Sequence, residues 1–417
     1  MAHRRPGSGQ IVISSHNEPR PSDLGDVRTA NRALVLRHVR RHAPCSRADI
    51  AAHTGLNKAT VSSLVGELIE RRLLRETGLT ENRVGRPATM LVLDGAAYAA
   101  LGMQIGADEL VVVAIDLAGT RLLTWRRAFA APASSPAETI RALAALARRA
   151  ITRLTGQGRQ VLGLAVGVPG LVGPDGAVPR ATALGWRDVA LAGDLRAALR
   201  EPDLTVDVDT DANLAVLAEH RHGAYAGAAH LVHLTGGASV GAGIVADGRL
   251  LRGGRGFAGE VGHLTLDPAG PGCACGRRGC LNAYAGLPAV VGRLLPDTQQ
   301  DGPVTDFLPE IERIQALARQ GDPTVLAGLA DVGCHLGHAA SVLANLLNPQ
   351  AVVLGGHFTA LAPWLLPAAR AELAARTHAP AAGGCLLDAS TLDSSATALG
   401  GATAALATVE SGRLPAA

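Results

Sequence analysis

Near the start of the chain, apolar residues recur at helical spacing. Val35, Leu36 and Val39 fall on one side of a helix expected from Val27, Arg32, Arg37, Arg40 and Arg41 take the other side, and Pro44 closes it. A second helix is expected from Ser46, whose hydroxyl can cap the amide near Asp49, through Ile50 to His53. Thr54-Gly55-Leu56 makes a turn, and Asn57 is a good cap for a third helix. Along that helix Val61, Leu64, Val65, Leu68, Ile69 and Leu73 repeat every three or four residues, and Lys58, Thr60, Ser62 and Ser63 mark its polar start. Leu74-Arg75-Glu76 and the run from Thr89 to Leu93 then read as two short strands joined by a loop that holds Arg83 and Gly85-Arg86-Pro87. Two helices about a tight turn followed by a hairpin spell a winged helix-turn-helix, which an ordinary helical hairpin would not explain. The expected DNA-contacting residues are Asn57, Lys58, Thr60, Ser62, Ser63, Arg83 and Arg86, with Arg86 at a wing tip that has the reach to enter a minor groove.

Past Asp94-Gly95-Ala96 the period changes. Leu101 to Gly106, Leu110 to Asp116 and Arg121 to Ala128 suggest a strand meander, Pro136 to Leu154 a helix and Val161 to Val168 a buried strand. A strand near Val206, a helix from Asn213 to His220, strands near His230 to Leu234 and Gly241 to Val245, and a helical region from Ile311 ending in the strand Ala351-Val352-Val353-Leu354 complete an α/β body. The pattern divides the chain into a tail at 1–26, a DNA-binding module at 27–94, and a body with one lobe at 95–212, completed by 390–410, and a second at 213–389.

Charge sharpens this picture. Between Arg28 and Pro87 eleven Arg and one Lys stand against five carboxylates, a net of +7, whereas the whole chain of 417 residues carries only +3. A basic module on a mildly acidic body suits a polyanion at one end, although a charged face can simply be solvated. No run of about 18 uncharged apolar residues suggests a membrane span, and the arginines of the N-terminus precede no apolar stretch, so a reducing cytoplasm is expected. Cys45, Cys334 and Cys385 then read as free buried thiols.

The remaining cysteines carry chemistry. His263 and, ten residues on, Cys273-Ala274-Cys275-Gly276-Arg277-Arg278-Gly279-Cys280 offer three sulfurs and an imidazole, the ligand set of a structural zinc site: His263, Cys273, Cys275 and Cys280. Disulfides would leave one thiol over, and plain buried thiols have no use for the glycines at 276 and 279.

Gly259-Glu260-Val261-Gly262-His263 together with Cys-x-Cys-Gly-x-x-Gly-Cys-Leu resembles the signature of the ROK family of repressors, open reading frames and sugar kinases, over roughly Leu101 to Leu406. Gly55 to Ser62 and Gly85-Arg86-Pro87 resemble the N-terminal domain of its repressors. The resemblance implies an actin-like, ribonuclease H-like two-lobed sugar-kinase fold with a zinc knuckle, and it leaves open a kinase or a repressor. It places Asp211 at the family's general-base position and Glu260 and His263 among its sugar contacts, His263 being also a zinc ligand. Where the family's first phosphate motif has an acid, glycines and a hydroxyl, this chain has Gln104-Ile105-Gly106-Ala107-Asp108; its second phosphate loop is altered at Ala238 and Ser239. Thr210, Asn282 and the stretch around Ala183 also depart from family sugar-site residues. The expectation is a sugar-responsive regulator, a repressor rather than an enzyme. Its expected partners are operator DNA and a sugar effector, and it would act as a homodimer or homotetramer. The alternative is an active sugar kinase with an accessory DNA-binding domain, and a weaker one is a DNA binder with no ligand.

Overall fold

The computed structural model describes residues 24–79, 89–297, 307–378 and 384–415. Helix α1 (Leu24–His42) begins inside the stretch expected to be a tail, with Asp26 in its first turn, where a carboxylate meets the positive end of the helix dipole. Strand β1 (Cys45–Ser46) leads into α2 (Arg47–Thr54), which Ser46 and Asp49 cap reciprocally, and Gly55 ends it in the left-handed region at φ 73°. Asn57 caps α3 (Lys58–Glu70) by accepting the Thr60 amide at 2.8 Å. Val35, Val39, Ile50, Val61, Val65 and Leu68 are fully buried where the three helices meet. The hairpin strands β2 (Leu74–Leu79) and β3 (Thr89–Leu93) pair antiparallel, and β1 adds a third strand beside β3. That third strand was not expected, because two residues carry no readable period. Arg83 and Arg86 lie outside the described residues.

The body repeats one topology. In its first half β4 (Tyr98–Ile105), β5 (Glu109–Ile115) and β6 (Arg121–Ala128) form an antiparallel meander, α4 (Pro136–Thr155) follows, and β7 (Gln160–Val168) returns parallel to β4. A hairpin, β8 (Val178–Ala181) with β9 (Trp186–Val189), and α5 (Leu191–Leu199) lead to β10 (Thr205–Thr210), parallel to β7, and the sheet order is β10-β7-β4-β5-β6. Helix α6 (Asp211–His222) crosses to the second half. There β11 (Leu231–Gly236), β12 (Val240–Ala246) and β13 (Arg249–Leu250) form the meander, and the short helices α7 (Asn282–Ala285) and α8 (Leu287–Leu294) follow. After α9 (Leu308–Arg319) and α10 (Pro323–Leu347), β14 (Ala351–Gly356) lies parallel to β11. Helix α11 (His357–Arg376) then precedes β15 (Leu386–Ala389), parallel to β14, giving the order β13-β12-β11-β14-β15. Helix α10 is long and apolar enough to cross a bilayer by composition, but Leu329, Val332, Leu336 and Ala340 are buried in the second-half core, against which α11 also packs.

Helix α12 (Ala396–Ala405) returns to the first sheet and packs on β4, β5 and β7, while α6 packs on both α12 and the β11–β12 hairpin. This contact is backbone on backbone: a Cβ at Gly102 of β4 would lie 1.8 Å from the Ala398 carbonyl oxygen, and one at Gly400 would lie 1.7 Å from that of Leu214. Asp94–Ala407 make one compact unit. Residues to Leu93 make another, which also takes Thr408–Ala417, so the stretch expected to complete a lobe up to residue 410 divides at Ala407. Glu410 pairs with Arg40 at 2.7 Å within that smaller unit, a long-range ion pair that no local pattern announces.

Gly102→Ala should lower unfolding stability by about 1–3 kcal/mol, the usual cost of forcing extra atoms into a packed interface. Urea denaturation of the variant against the parent chain checks it; unchanged stability would mean the helix–sheet contact is looser than described.

Candidate ligand cleft and metal centre

A cleft of about 580 Å³ opens between the halves of the body, lined by Arg180, Thr182 and Asp211 from the first and by Ser239, Glu260, His263 and Asn282 from the second. Asp211 is the first residue of α6. The cap of that helix is Thr210, whose hydroxyl accepts the Asn213 amide at 3.1 Å. Asp211 instead accepts its own helix's Ala212 amide at 2.8 Å and faces the cleft. Burial lifts its carboxyl from an ordinary 3.8 to about 6; the Ala212 amide opposes that rise and the charge of Glu260 adds to it. The Glu260 carboxyl is raised too, by desolvation, with His263 acting against it.

Gly259 explains why Glu260 and His263 stand at the cleft edge. It has φ 96°, its carbonyl accepts the Ala242 amide of β12 at 2.8 Å, and a side chain there would run into the Ala242 carbonyl oxygen at 1.9 Å. The segment is therefore clamped to the sheet, with Val261 and Gly262 buried while Glu260 and His263 line the cleft. Asn282, at the start of α7, uses its side-chain oxygen to accept the Val240 amide at 2.6 Å, tying the loop before β12 to the cleft wall. That loop is closed further by Gly237 donating to Ser239 and Leu287 donating to Gly237, each at 3.0 Å.

His263, Cys273, Cys275 and Cys280 come together with all four ligand atoms within 4.8 Å of one another. Two of the separations are 3.8 Å, from Cys273 Sγ to His263 Nδ1, and 3.7 Å, from Cys275 Sγ to Cys280 Sγ. A tetrahedral ion with bonds of about 2.3 Å to sulfur spans edges of about 3.8 Å, so the donor set fits in number, chemistry and spacing. The cysteines are free rather than paired, as are the other three; of those Cys45 is buried as expected, but Cys385 is half-buried and Cys334 is exposed. The loop that holds them turns at Gly279, with φ 65°, where a Cβ would lie 1.6 Å from the Asp267 carbonyl oxygen. The side chain and backbone of Arg277 hydrogen-bond to Cys275 and pull its thiol down to about 6, whereas burial pushes Cys280 up to about 11. The same cluster borders the cleft through Gly272, Cys273 and Cys275.

In the DNA-binding module, Lys58, Ser62 and Ser63 are exposed on α3, Thr60 is half-buried, and the exposed Asn57 has its side-chain oxygen engaged in the cap. The basic charge is partly spent internally: Arg28 and Arg32 reach Glu67 at 2.7 and 3.2 Å, and Arg47 reaches Glu76 at 3.0 Å.

The expected sugar residues Asp211, Glu260 and His263 thus share one cleft, and the four expected metal ligands share one cluster beside it. Gln104 to Asp108 do not line that cleft. Trp186 is 2% exposed in the first-half core. Arg180 and Thr182 escaped sequence reasoning. They follow from the β8–β9 hairpin, a pair of four-residue strands in a stretch whose residues gave no periodic signal.

Residues 100–408 match the model of the ROK family, and residues 28–82 match that of the MarR family. The chain is 30% identical over 382 residues to the xylose repressor of Bacillus subtilis (strain 168), covering 91% of this chain and 96% of that one. It superposes on a crystal structure of a ROK family transcriptional regulator, a homolog of the E. coli MLC protein, with TM-score 0.78 and 26% identity over 93% of this chain and 98% of that one. A ROK family glucokinase from Streptomyces griseus, solved with glucose and AMPPNP, matches with TM-score 0.61 and 26% identity over 73% of this chain and 98% of its own. The chain is therefore a member of the ROK family that carries a MarR-type winged helix DNA-binding domain ahead of its two-lobed body.

Proposed function

We propose that the chain is a sugar-responsive transcriptional repressor, acting in the cytoplasm as a homo-oligomer on operator DNA. The carrying observation is that Asp211, Glu260 and His263 meet in one cleft, beside a Cys-His cluster, in a chain that also has a winged helix. Likeness to a xylose repressor and to a ROK regulator over nine-tenths of the chain supports it. In this reading the Asp211 and Glu260 carboxylates accept hydrogen bonds from sugar hydroxyls. His263 turns Nδ1 toward the cluster, which leaves Nε2 for the ligand. Zinc held by His263, Cys273, Cys275 and Cys280 would brace the loop on which the sugar rests. Recognition helices of two protomers would enter successive major grooves, and the sugar would alter their spacing.

The likeness to a glucokinase and the acid at the family's base position favour a second reading, an ATP-dependent sugar kinase. Against it, the first phosphate motif offers the exposed Asp108 carboxylate where a triphosphate would sit, and like charges repel. Gel shifts on the chain's own upstream region across a sugar panel, run beside an ATP-consumption assay, separate the two. A sugar that releases DNA without consuming ATP supports the regulator; sugar-dependent turnover that disappears in Asp211→Asn supports the kinase.

Asp211 also sets a pH dependence. With its folded pKa raised, the native state binds more protons than the unfolded chain between about 4 and 6, so stability falls as pH rises through that window, and the penalty is fully present above it. Asp211→Asn should therefore melt higher than the parent at pH 8, lose that advantage near pH 4 and no longer respond to sugar; in the parent, sugar affinity should weaken below pH 6, where the acceptor is protonated. Thermal melts and sugar titrations from pH 4 to 8 test this.

Cys275→Ser should lower the zinc content by about one equivalent per chain and abolish the sugar response. A variant with unchanged metal content and full response would remove zinc from the reading. Lys58→Ala should weaken operator binding and reduce the slope of log affinity against log salt by about 1. Binding isotherms across a salt series check it, and an unchanged slope would take Lys58 off the phosphates.

A further inference from the structure

Three histidines meet in the DNA-binding module, a separate unit from the one that holds the cleft and the Cys-His cluster. His38 and His42 stand one turn apart on α1, an i, i+4 pair on one face, and α2 brings His53 against them. Ring centroids lie 4.7 Å apart for His38 and His42, 5.0 Å for His38 and His53, and 6.0 Å for His42 and His53. Imidazoles bound to one tetrahedral ion through bonds of about 2.0–2.1 Å have centroids about 5 Å apart, so the three rings already stand at chelating separation.

Two further observations bear on ligation. The His38 Nε2 is buried with no hydrogen-bond partner, although an unpaired buried polar nitrogen is costly. The ring of His53 has Nδ1 2.8 Å from the Asp49 carbonyl oxygen. A carbonyl can only accept, so Nδ1 carries the proton and the Nε2 lone pair is left outward, the tautomer that a metal ligand needs. Burial, and then the other two imidazoles, lower the pKa of His38, while the Asp49 charge acts the other way.

We propose that His38, His42 and His53 form a second metal site, taking a divalent ion that prefers imidazole, such as zinc, nickel or cobalt, with water completing its coordination. The rings of His42 and His53 stack at 23° rather than converge, so loading turns these two exposed side chains toward the fixed His38 nitrogen. The ion bridges the last turn of α1 to the last turn of α2, directly before Gly55 and the cap of the recognition helix. Asp49 supplies the nearby negative charge, while its carboxylate stays on the Ser46 amide and hydroxyl at 2.9 and 2.8 Å. Metal occupancy would thus fix the angle at which α3 is presented, independently of any sugar.

The test is equilibrium dialysis of the full chain against micromolar zinc, and against cobalt followed by its absorption spectrum. The parent is compared with a His42→Gln, His53→Gln double variant, which changes only exposed side chains. The parent should hold about one more equivalent per chain than the variant, and that cobalt should add d–d bands without the near-ultraviolet thiolate charge transfer that marks cysteine ligation. Operator affinity should depend on added zinc in the parent and not in the variant. Equal stoichiometry in the two chains, or an extra ion held only at millimolar metal, overturns the site. A zinc-dependent operator affinity that survives in the double variant assigns the effect to the cysteine cluster instead. Because the readout is metal content, it succeeds or fails whether or not a sugar is the effector.

Discussion

The body rests on the close approach of two helices that cross between its sheets. Helix α12 lies so near β4 that a methyl group at Gly102 has no room, and so near α6 that one at Gly400 meets the Leu214 carbonyl. Side chains of ordinary size at these positions would push the halves apart by atomic diameters, since packed interiors hold few voids to absorb them. The same contact fixes the start of α6, where the Thr397 hydroxyl donates to the Asp211 carbonyl at 3.2 Å. The position of the cleft carboxylate is thus a consequence of helix packing around it.

That placement has an electrostatic cost. Asp211 sits where burial disfavours its charge, with Glu260 of like sign nearby and two backbone amides, that of Ala212 and its own, as compensation. A binding site needs such unspent acceptors: a carboxylate satisfied by an arginine would be comfortable and useless to a hydroxylated ligand. Asp209 shows the contrast two residues earlier, where it is taken up by Arg252 at 2.7 Å and by the Asn213 side chain at 2.6 Å. Opposite Asp211, the Cys-His loop is mostly exposed and rich in Gly and Pro, and Cys280 and Gly279 are among its few buried residues. Apolar burial alone offers such a loop little, and four converging ligands can replace the missing core.

The DNA-binding module divides its charge between folding and recognition. Glu67 on the inner side of α3 takes both Arg28 and Arg32, so these arginines hold α1 to the recognition helix. Lys58, the one cation on α3, sits at its exposed start and is left available to a polyanion. A net charge of +7 counted along the sequence therefore overstates what reaches phosphate.

Much of this was written in local pattern. The three helices of the module followed from apolar spacing and from Ser46, Gly55 and Asn57, residues whose side chains or backbone freedom act within a turn. The Cys-His cluster was legible because thiols and imidazole have few other reasons to gather among glycines. The family motif named Asp211, Glu260 and His263, but only the tertiary structure brought Asp211, from the first half, into one cleft with the others, and only it added Arg180 and Thr182 from a hairpin too short to show a period. It also moved the chain beyond Ala407 to the N-terminal module and gathered His38, His42 and His53. Such groupings depend on contacts between residues far apart in the chain, and chain order records spacing along the backbone, not which distant faces the packing of helices and sheets will bring together.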